Sequence, residues 1–229
     1  MSDRTLLIYG ASGHAKVIID IVERAGRYRI VGLLDDDPQL QSEKFFGYPV
    51  LGGGERLAEE SYPDHRLVIA VGDNFARREI WRRVEALRNF QYALAVHPAA
   101  QIGREVQLGE GTVVMANVAI NPGTLIGRQV IINTGATVDH DCLIGDFAHI
   151  SPGVHLAGNV QVGELTHLGV GTAVLPGVHI GARSLIGAGA VVIGDIPDGV
   201  IAVGVPARVI KQRSQIGPGG ADDPSDHSG

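Results

Sequence analysis

The sequence predicts a small parallel α/β domain followed by a three-sided parallel β-helix, with a polar tail behind it. Three observations carry that prediction. From Ile102 to Val192 an aliphatic residue returns at every sixth position without a miss, through Leu108, Val114, Ile120, Ile126, Ile132, Val138 and onward. Two positions ahead of it a second column keeps the same period with small or β-branched residues, among them Thr112, Val118, Thr124, Ala136, Cys142, Ala148 and Thr166. Before Pro98, by contrast, short apolar runs alternate with segments of helical period.

Taken in order, Leu6–Tyr9, Ile30–Leu34, Leu67–Val71 and Tyr92–Val96 read as strands, and Ala15–Ala25 and Ala76–Leu87 as helices. This alternation is the pattern of a small parallel, Rossmann-like sheet, here spanning residues 1–98. Residues 99–211 form the β-helix. Each hexad supplies one side of a coil, with the aliphatic residue inside and the small one at the crowded corner; sixteen hexads make about five coils. The glycines just after the inward position (Gly127, Gly145, Gly163, Gly181, Gly187) are expected to supply unusual corner dihedrals. Asp195–Lys211 leaves the period and is expected to cover the open end of the prism, whose unpaired backbone would otherwise invite association. Residues 212–229, polar and rich in Gly, Pro and Asp, read as a disordered tail.

Composition narrows the function. Of 229 residues 45 % are hydrophobic, only 5 % are aromatic and 32 are glycine, which fits a turn-rich repeat with a buried core. A net charge of −6 supplies no basic field for nucleic acid. Cys142 is the single cysteine, which excludes an intrachain disulfide. No apolar run reaches the roughly 20 residues of a membrane span, and Met1-Ser2-Asp3-Arg4 leads into a strand without a signal-peptide pattern, so a cytoplasmic protein is expected.

The string Gly10-Ala11-Ser12-Gly13-His14-Ala15-Lys16, with Leu34-Asp35-Asp36, Ala70-Val71-Gly72-Asp73-Asn74, Thr137-Val138-Asp139-His140-Asp141-Cys142, Ala157-Gly158-Asn159-Val160 and Gly204-Val205-Pro206-Ala207, resembles the nucleotide-sugar acetyltransferases. The match covers about residues 5–211. That family includes UDP-4-amino-sugar and GDP-perosamine N-acetyltransferases and sialic acid O-acetyltransferases. The resemblance implies a left-handed coil, although parallel crossovers are otherwise right-handed. It also implies acetyl-CoA as co-substrate, a nucleotide-linked amino sugar as acceptor, and a homotrimer with active sites between subunits.

The residues fit those expectations. Gly10-Ala-Ser-Gly13 lies where strand turns into helix, so free N–H groups can face a diphosphate; lacking the second glycine of the dinucleotide fingerprint, it suits a mononucleotide handle. Asp35 and Asp36 follow the second strand, where a carboxylate can take ribose or base hydrogen bonds. With His14, Gly72, Asp73 and Asn74 they complete the expected substrate set, Asp73-Asn74 having the alternative of an N-cap for the following helix. His140 sits at a corner between two carboxylates and is the candidate general base, which would accept the amine proton as the amine attacks the thioester. The resemblance makes Asp141 its partner, with Asp139 as the alternative. It also makes His149 a contact of the acetyl thioester and Gly158, Val170 and Ala188 contacts of the cofactor. His140 and His149 stand one and a half sides apart, so only a neighbouring subunit could join them. His155, His167 and His179 read as surface residues.

Three rival readings fit the residues less well. A zinc hydratase on this fold needs three histidine ligands, two of them five apart; no pair among His140, His149, His155, His167 and His179 has that spacing, and no metal is expected. A non-enzymatic nucleotide-binding scaffold leaves the acid-flanked His140 unexplained. O-acetylation of a sialic acid would share the base and the cofactor groove, and the front domain argues against it.

Overall fold

The computed structural model describes residues 4–58, 65–87 and 90–213. In the front domain β1 (Thr5–Tyr9), β2 (Arg29–Leu34) and a later strand, Arg66–Ile69, form a three-stranded parallel sheet with β1 in the centre. Alternation along β1 divides its neighbours. Leu6 and Ile8 pack against α1 (Gly13–Ala25), and Leu7 and Tyr9 pack toward Val84 of the second helix. α1 buries Ala15, Ile18, Ile19, Ile21 and Val22, and it stops at Gly26, whose left-handed φ of 62° lets its N–H reach the Val22 carbonyl. A two-stranded hairpin, β3 (Lys44–Phe45) and β4 (Tyr48–Pro49), precedes β5 (Arg66–Ile69) and α2 (Asn74–Leu87).

The chain then enters a parallel β-solenoid of two-residue strands that stack into sheets of six, five and eight strands, the last including two longer strands at the far end. Partners lie one coil apart: Ile120 faces Val138, Val138 faces Leu156, and Leu156 faces Val174. Inward residues from Val114 to Val192 are all buried. The solenoid starts earlier than the hexad count implies, because Ala95–Val96 pairs with Val113–Val114 and makes the first of seven parallel strands on that face. One inward assignment is corrected: Ile102, on the outermost strand of its sheet, is 39 % exposed because only one coil lies beside it. Cys142 is buried, as its corner position requires.

Corner threonines show why small polar residues are tolerated there. Thr112 donates to the Gly127 carbonyl (2.8 Å) and accepts from Val130 N–H (3.1 Å), so one hydroxyl joins successive coils. The glycine expectation is also corrected. Gly145 does not carry the unusual dihedral; Phe147, two residues on, does, at φ 59°. Gly145 is glycine because a Cβ there would come 2.6 Å from the backbone nitrogen of Glu164 in the next coil. The requirement is close approach.

At the far end Val200–Val203 continues one prism face parallel to Leu185–Ile186, and Arg208–Gln212 folds back antiparallel beside it. Gln212, expected in the tail, is thus the last residue of a strand, and residues 214–229 lie outside those described. The front domain seats on one prism face: α1 residues share an apolar cluster with Val113, Met115 and Ile131, and Trp81 of α2 meets Phe147 edge-on at 5.6 Å. Among the described residues no helix is long and apolar enough to cross a membrane.

Candidate functional site

Candidate residues collect at a prism corner and at the junction between the domains. At the corner, His140 is half exposed and its Nδ1 lies 2.8 Å from Asp141 Oδ2. Asp139 does something else: its Oδ1 accepts the His140 backbone N–H (2.8 Å) and Asn121 Nδ2 (2.7 Å). Asp141 therefore orients the ring and Asp139 orients the loop. With Nδ1–H donated to Asp141, Nε2 is left as the acceptor, which is the form a general base requires. The bond to Asp141, with the charges of Asp139 and Asp141, raises the His140 pKa above its ordinary value against the opposing effect of burial. Gly158, one coil on, makes room for the ring, since a Cβ there would lie 2.6 Å from His140 Nε2.

At the junction, Gly10 (φ 109°) lets β1 turn into α1 where a side chain would meet the Ala70 carbonyl at 2.9 Å. Asp35 braces that turn, accepting Ala11 N–H (2.7 Å) and Asp37 N–H (2.9 Å). Asp36 accepts from Tyr9 OH (2.7 Å), Gly54 N–H (3.0 Å) and Arg83 (2.7 Å), beside a pocket of about 300 Å³ that Glu55, Val84 and Leu87 also line. Burial works to raise its carboxyl, and bonds from Arg83, Gly54 and Tyr9 outweigh that, so its pKa is lowered. Ser12 stands at the N-cap of α1 without a side-chain cap bond, and the first helical turn has no acidic residue. Gly13 and Gly72 have neither a left-handed φ nor any atom from beyond their own stretch of chain within 4 Å of a would-be Cβ. The protein's own packing does not explain those two glycines.

Facing these loops are His149 and His167, stacked at 4.7 Å and 15° on adjacent coils. His149 Nδ1 is 3.3 Å from the Gly72 carbonyl, and its Nε2 is 3.2 Å from Asn133 Nδ2. His167 Nε2 meets the Ser151 hydroxyl at 2.9 Å. Burial lowers all three cleft histidines: His14 to about 4 with help from Arg77, His167 to about 4 with help from Arg213 and Arg77, and His149 further still, with help from His167 and Arg77. They are neutral at physiological pH.

Comparison with known proteins supplies the family. Residues 5–84 match the model of the PglD N-terminal domain. UDP-N-acetylbacillosamine N-acetyltransferase of Bacillus subtilis (strain 168) is 38 % identical over 117 residues; the match takes in 49 % of this chain and about half (52 %) of that curated relative's length. PerB of Caulobacter crescentus, crystallised with CoA and GDP-perosamine, is 43 % identical with a TM-score of 0.85 over 92 % of this chain and 99 % of its own. The chain belongs to the nucleotide-sugar acetyltransferase family. The acetyltransferase domain of PglB from Neisseria gonorrhoeae FA1090 is 38 % identical at a TM-score of 0.83, over 91 % of this chain and all (100 %) of that one.

Within this chain the structure brings His14, Gly72 and His149 to one junction and His140 and Gly158 to one corner. It does not bring the two groups together. Val170 and Ala188, both exposed, stack on the corner that follows the His149 face, not on the His140 corner. Two readings are corrected. Asn74 is buried and donates into the prism, to the Leu165 (3.1 Å) and Thr166 (3.2 Å) carbonyls, so its side chain is a tie between domains; Asp73 is the helix cap, bonding Ala76 N–H at 2.7 Å. His167, read as a surface residue, is packed against His149. His155 and His179 are exposed. Sequence reasoning missed Asn133 and Arg77. Asn133 resembles any polar corner residue, and Arg77 is one of several arginines on α2, so neither carries a local signal.

Proposed function

We propose that this protein moves an acetyl group from acetyl-CoA to the amino group of a nucleotide-linked sugar, in particular a 4-amino-4,6-dideoxy sugar. The observation that carries the reading is the His140–Asp141 pair: an exposed imidazole with Nδ1 held and Nε2 open, beside a glycine that leaves it room. Its Nε2 would take the proton as the amine nitrogen bonds to the thioester carbonyl carbon; collapse of the tetrahedral adduct breaks the C–S bond, and the proton held on His140 passes to the departing sulfur to give the CoA thiol. The named relatives agree with N-acetylation.

The nucleotide sugar would lie along Gly10, Ser12, Gly13, His14, Asp35, Asp36, Gly72 and Asp73, with the diphosphate at the start of α1. Space at Gly13 and Gly72 supports this, because a ligand explains what packing does not. His149 would stand where the acetyl thioester meets the amine, and Gly158, Val170 and Ala188 would line the pantetheine path. His140 and His149 sit at different parts of the prism, which supports a homotrimer whose sites draw on two subunits. Cytoplasmic location fits both co-substrates.

The test is a panel of UDP-, GDP- and dTDP-linked 4-amino sugars with acetyl-CoA, following thiol release and loss of the primary amine. Turnover with at least one member is expected. Thiol release that is the same with and without every sugar nucleotide would overturn the reading.

A further inference from the structure

Arg77 is only 1 % exposed, yet it carries its charge into the domain junction. All five guanidinium N–H groups can be accounted for. Nε donates to the Gln129 carbonyl (2.9 Å), Nη1 to Val71 (2.9 Å) and Gly72 (3.0 Å), and Nη2 to Asn74 Oδ1 (2.9 Å) and the Phe147 carbonyl (2.8 Å). None of these acceptors is a carboxylate. Burial lowers its pKa to about 9, with Asp73 acting in the opposite direction, so it stays charged at neutral pH.

A buried cation without a paired anion is a costly way to fasten two elements, and apolar contacts often do as well or better. Trp81 against Phe147 already joins α2 to the prism by packing. What packing cannot supply is directed hydrogen bonding. The Gly72 carbonyl receives both Arg77 Nη1 and His149 Nδ1. The other side of the ring is equally constrained: Asn133 Oδ1 accepts Thr134 N–H at 2.8 Å, which turns its Nδ2 donor toward His149 Nε2. Only the neutral ring with its proton on Nδ1 satisfies both neighbours.

We infer that Arg77 is a positioning residue of the cleft: it fixes the Gly72 carbonyl as acceptor for His149 Nδ1–H and so holds that imidazole in one tautomer and one orientation. What the cleft binds rests on the proposed acetyl transfer; the locked ring does not. The role has a physical motive, since reacting groups brought together by two domains lose rate steeply when one of them swings.

The experiment uses the full chain, ¹⁵N-labelled, with long-range ¹H–¹⁵N spectra of the imidazoles near neutral pH and His149→Gln to assign the signal. Wild type should show His149 protonated on Nδ1 and bare on Nε2. In Arg77→Lys and Arg77→Met the Nδ1–H population should fall, with Asn133 alone left to hold the ring, while kcat falls on the order of 10- to 100-fold and KM for acetyl-CoA changes less than about twofold. Lys should recover part of the loss seen with Met. A wild-type His149 protonated on Nε2, or an unchanged Nδ1–H signal in a folded Arg77→Lys protein, would overturn the inference. The wild-type spectrum decides even if the Met variant does not fold. Absence of acetyl transfer in wild type would count against the proposed function while leaving the tautomer result standing.

Discussion

His140 and His149 place the same side chain in opposite surroundings on one prism. At the corner, His140 is open to solvent, carboxylate-supported and shifted upward in pKa. Nine residues on, His149 is pressed beneath the front domain, stacked on His167 and shifted far down. A ring that favours its proton and exposes a lone pair is suited to take one from an amine; a ring that resists protonation is suited to present fixed hydrogen bonds. The difference comes from position in the coil: a corner projects outward, whereas the strand face carrying His149 is covered by the front domain.

The largest effect should come from breaking the exposed member. His140→Ala should lower turnover by roughly 10²- to 10⁴-fold, the range for loss of a general base, with acetyl-CoA binding by calorimetry nearly unchanged. Near-normal turnover with a saturating amino-sugar nucleotide would remove His140 from that role. Next, Gly158→Ala should displace the His140 ring and lower kcat by roughly tenfold without altering the melting temperature by more than a few degrees, because the clash is with a half-exposed side chain. An unaltered kcat would mean the ring has another place to go.

Smaller still is the handle. Asp36→Ala leaves Tyr9 and Arg83 without their shared acceptor and should raise KM for the sugar nucleotide several-fold while sparing acetyl-CoA affinity, by about the net strength of one ordinary hydrogen bond. Loss of acetyl-CoA affinity instead would place the cofactor's own nucleotide in the front domain. The buried histidines predict a pH effect on stability. His14, His149 and His167 take up a proton when unfolded below about pH 6.5 but resist it when folded, so the unfolded state binds more protons and stability falls as pH drops from 6.5 toward 5. Melting curves of His167→Asn should show a shallower decline than wild type over that window. An equal slope would contradict the buried, neutral assignment.

The two regions also differ in how plainly the sequence announced them. The prism was legible because a six-residue period is imposed by every coil at once, so Val138 and Leu156 obey the same rule as Ile120. Its exceptions are end effects: Ile102 has a partner coil on one side only, and Ala95–Val96 joins before the period is noticeable. His140 was legible from its flanking acids, although choosing Asp141 over Asp139 took the actual loop geometry. The junction was not legible. Asn74 reaches carbonyls more than 90 residues away, Arg77 reaches Gln129 and Phe147, and His167 lies close enough to Arg77 and Asp73 of the front domain to feel their charges. Such contacts are made by packing between domains and leave no periodic trace.

The account turns on the His140–Asp141 pair, and the pH dependence of kcat/KM tests it most directly. His140 must be unprotonated to accept the amine proton, so activity falls as pH drops through its folded pKa. Because Asp141 raises that pKa, the acid limb for wild type should lie above the ordinary histidine value of about 6.5. Asp141→Asn removes the raising carboxylate, so the limb should move to lower pH even as the plateau drops. A limb unmoved by Asp141→Asn, or one lying below the ordinary value in wild type, would contradict the assignment of His140 as the base.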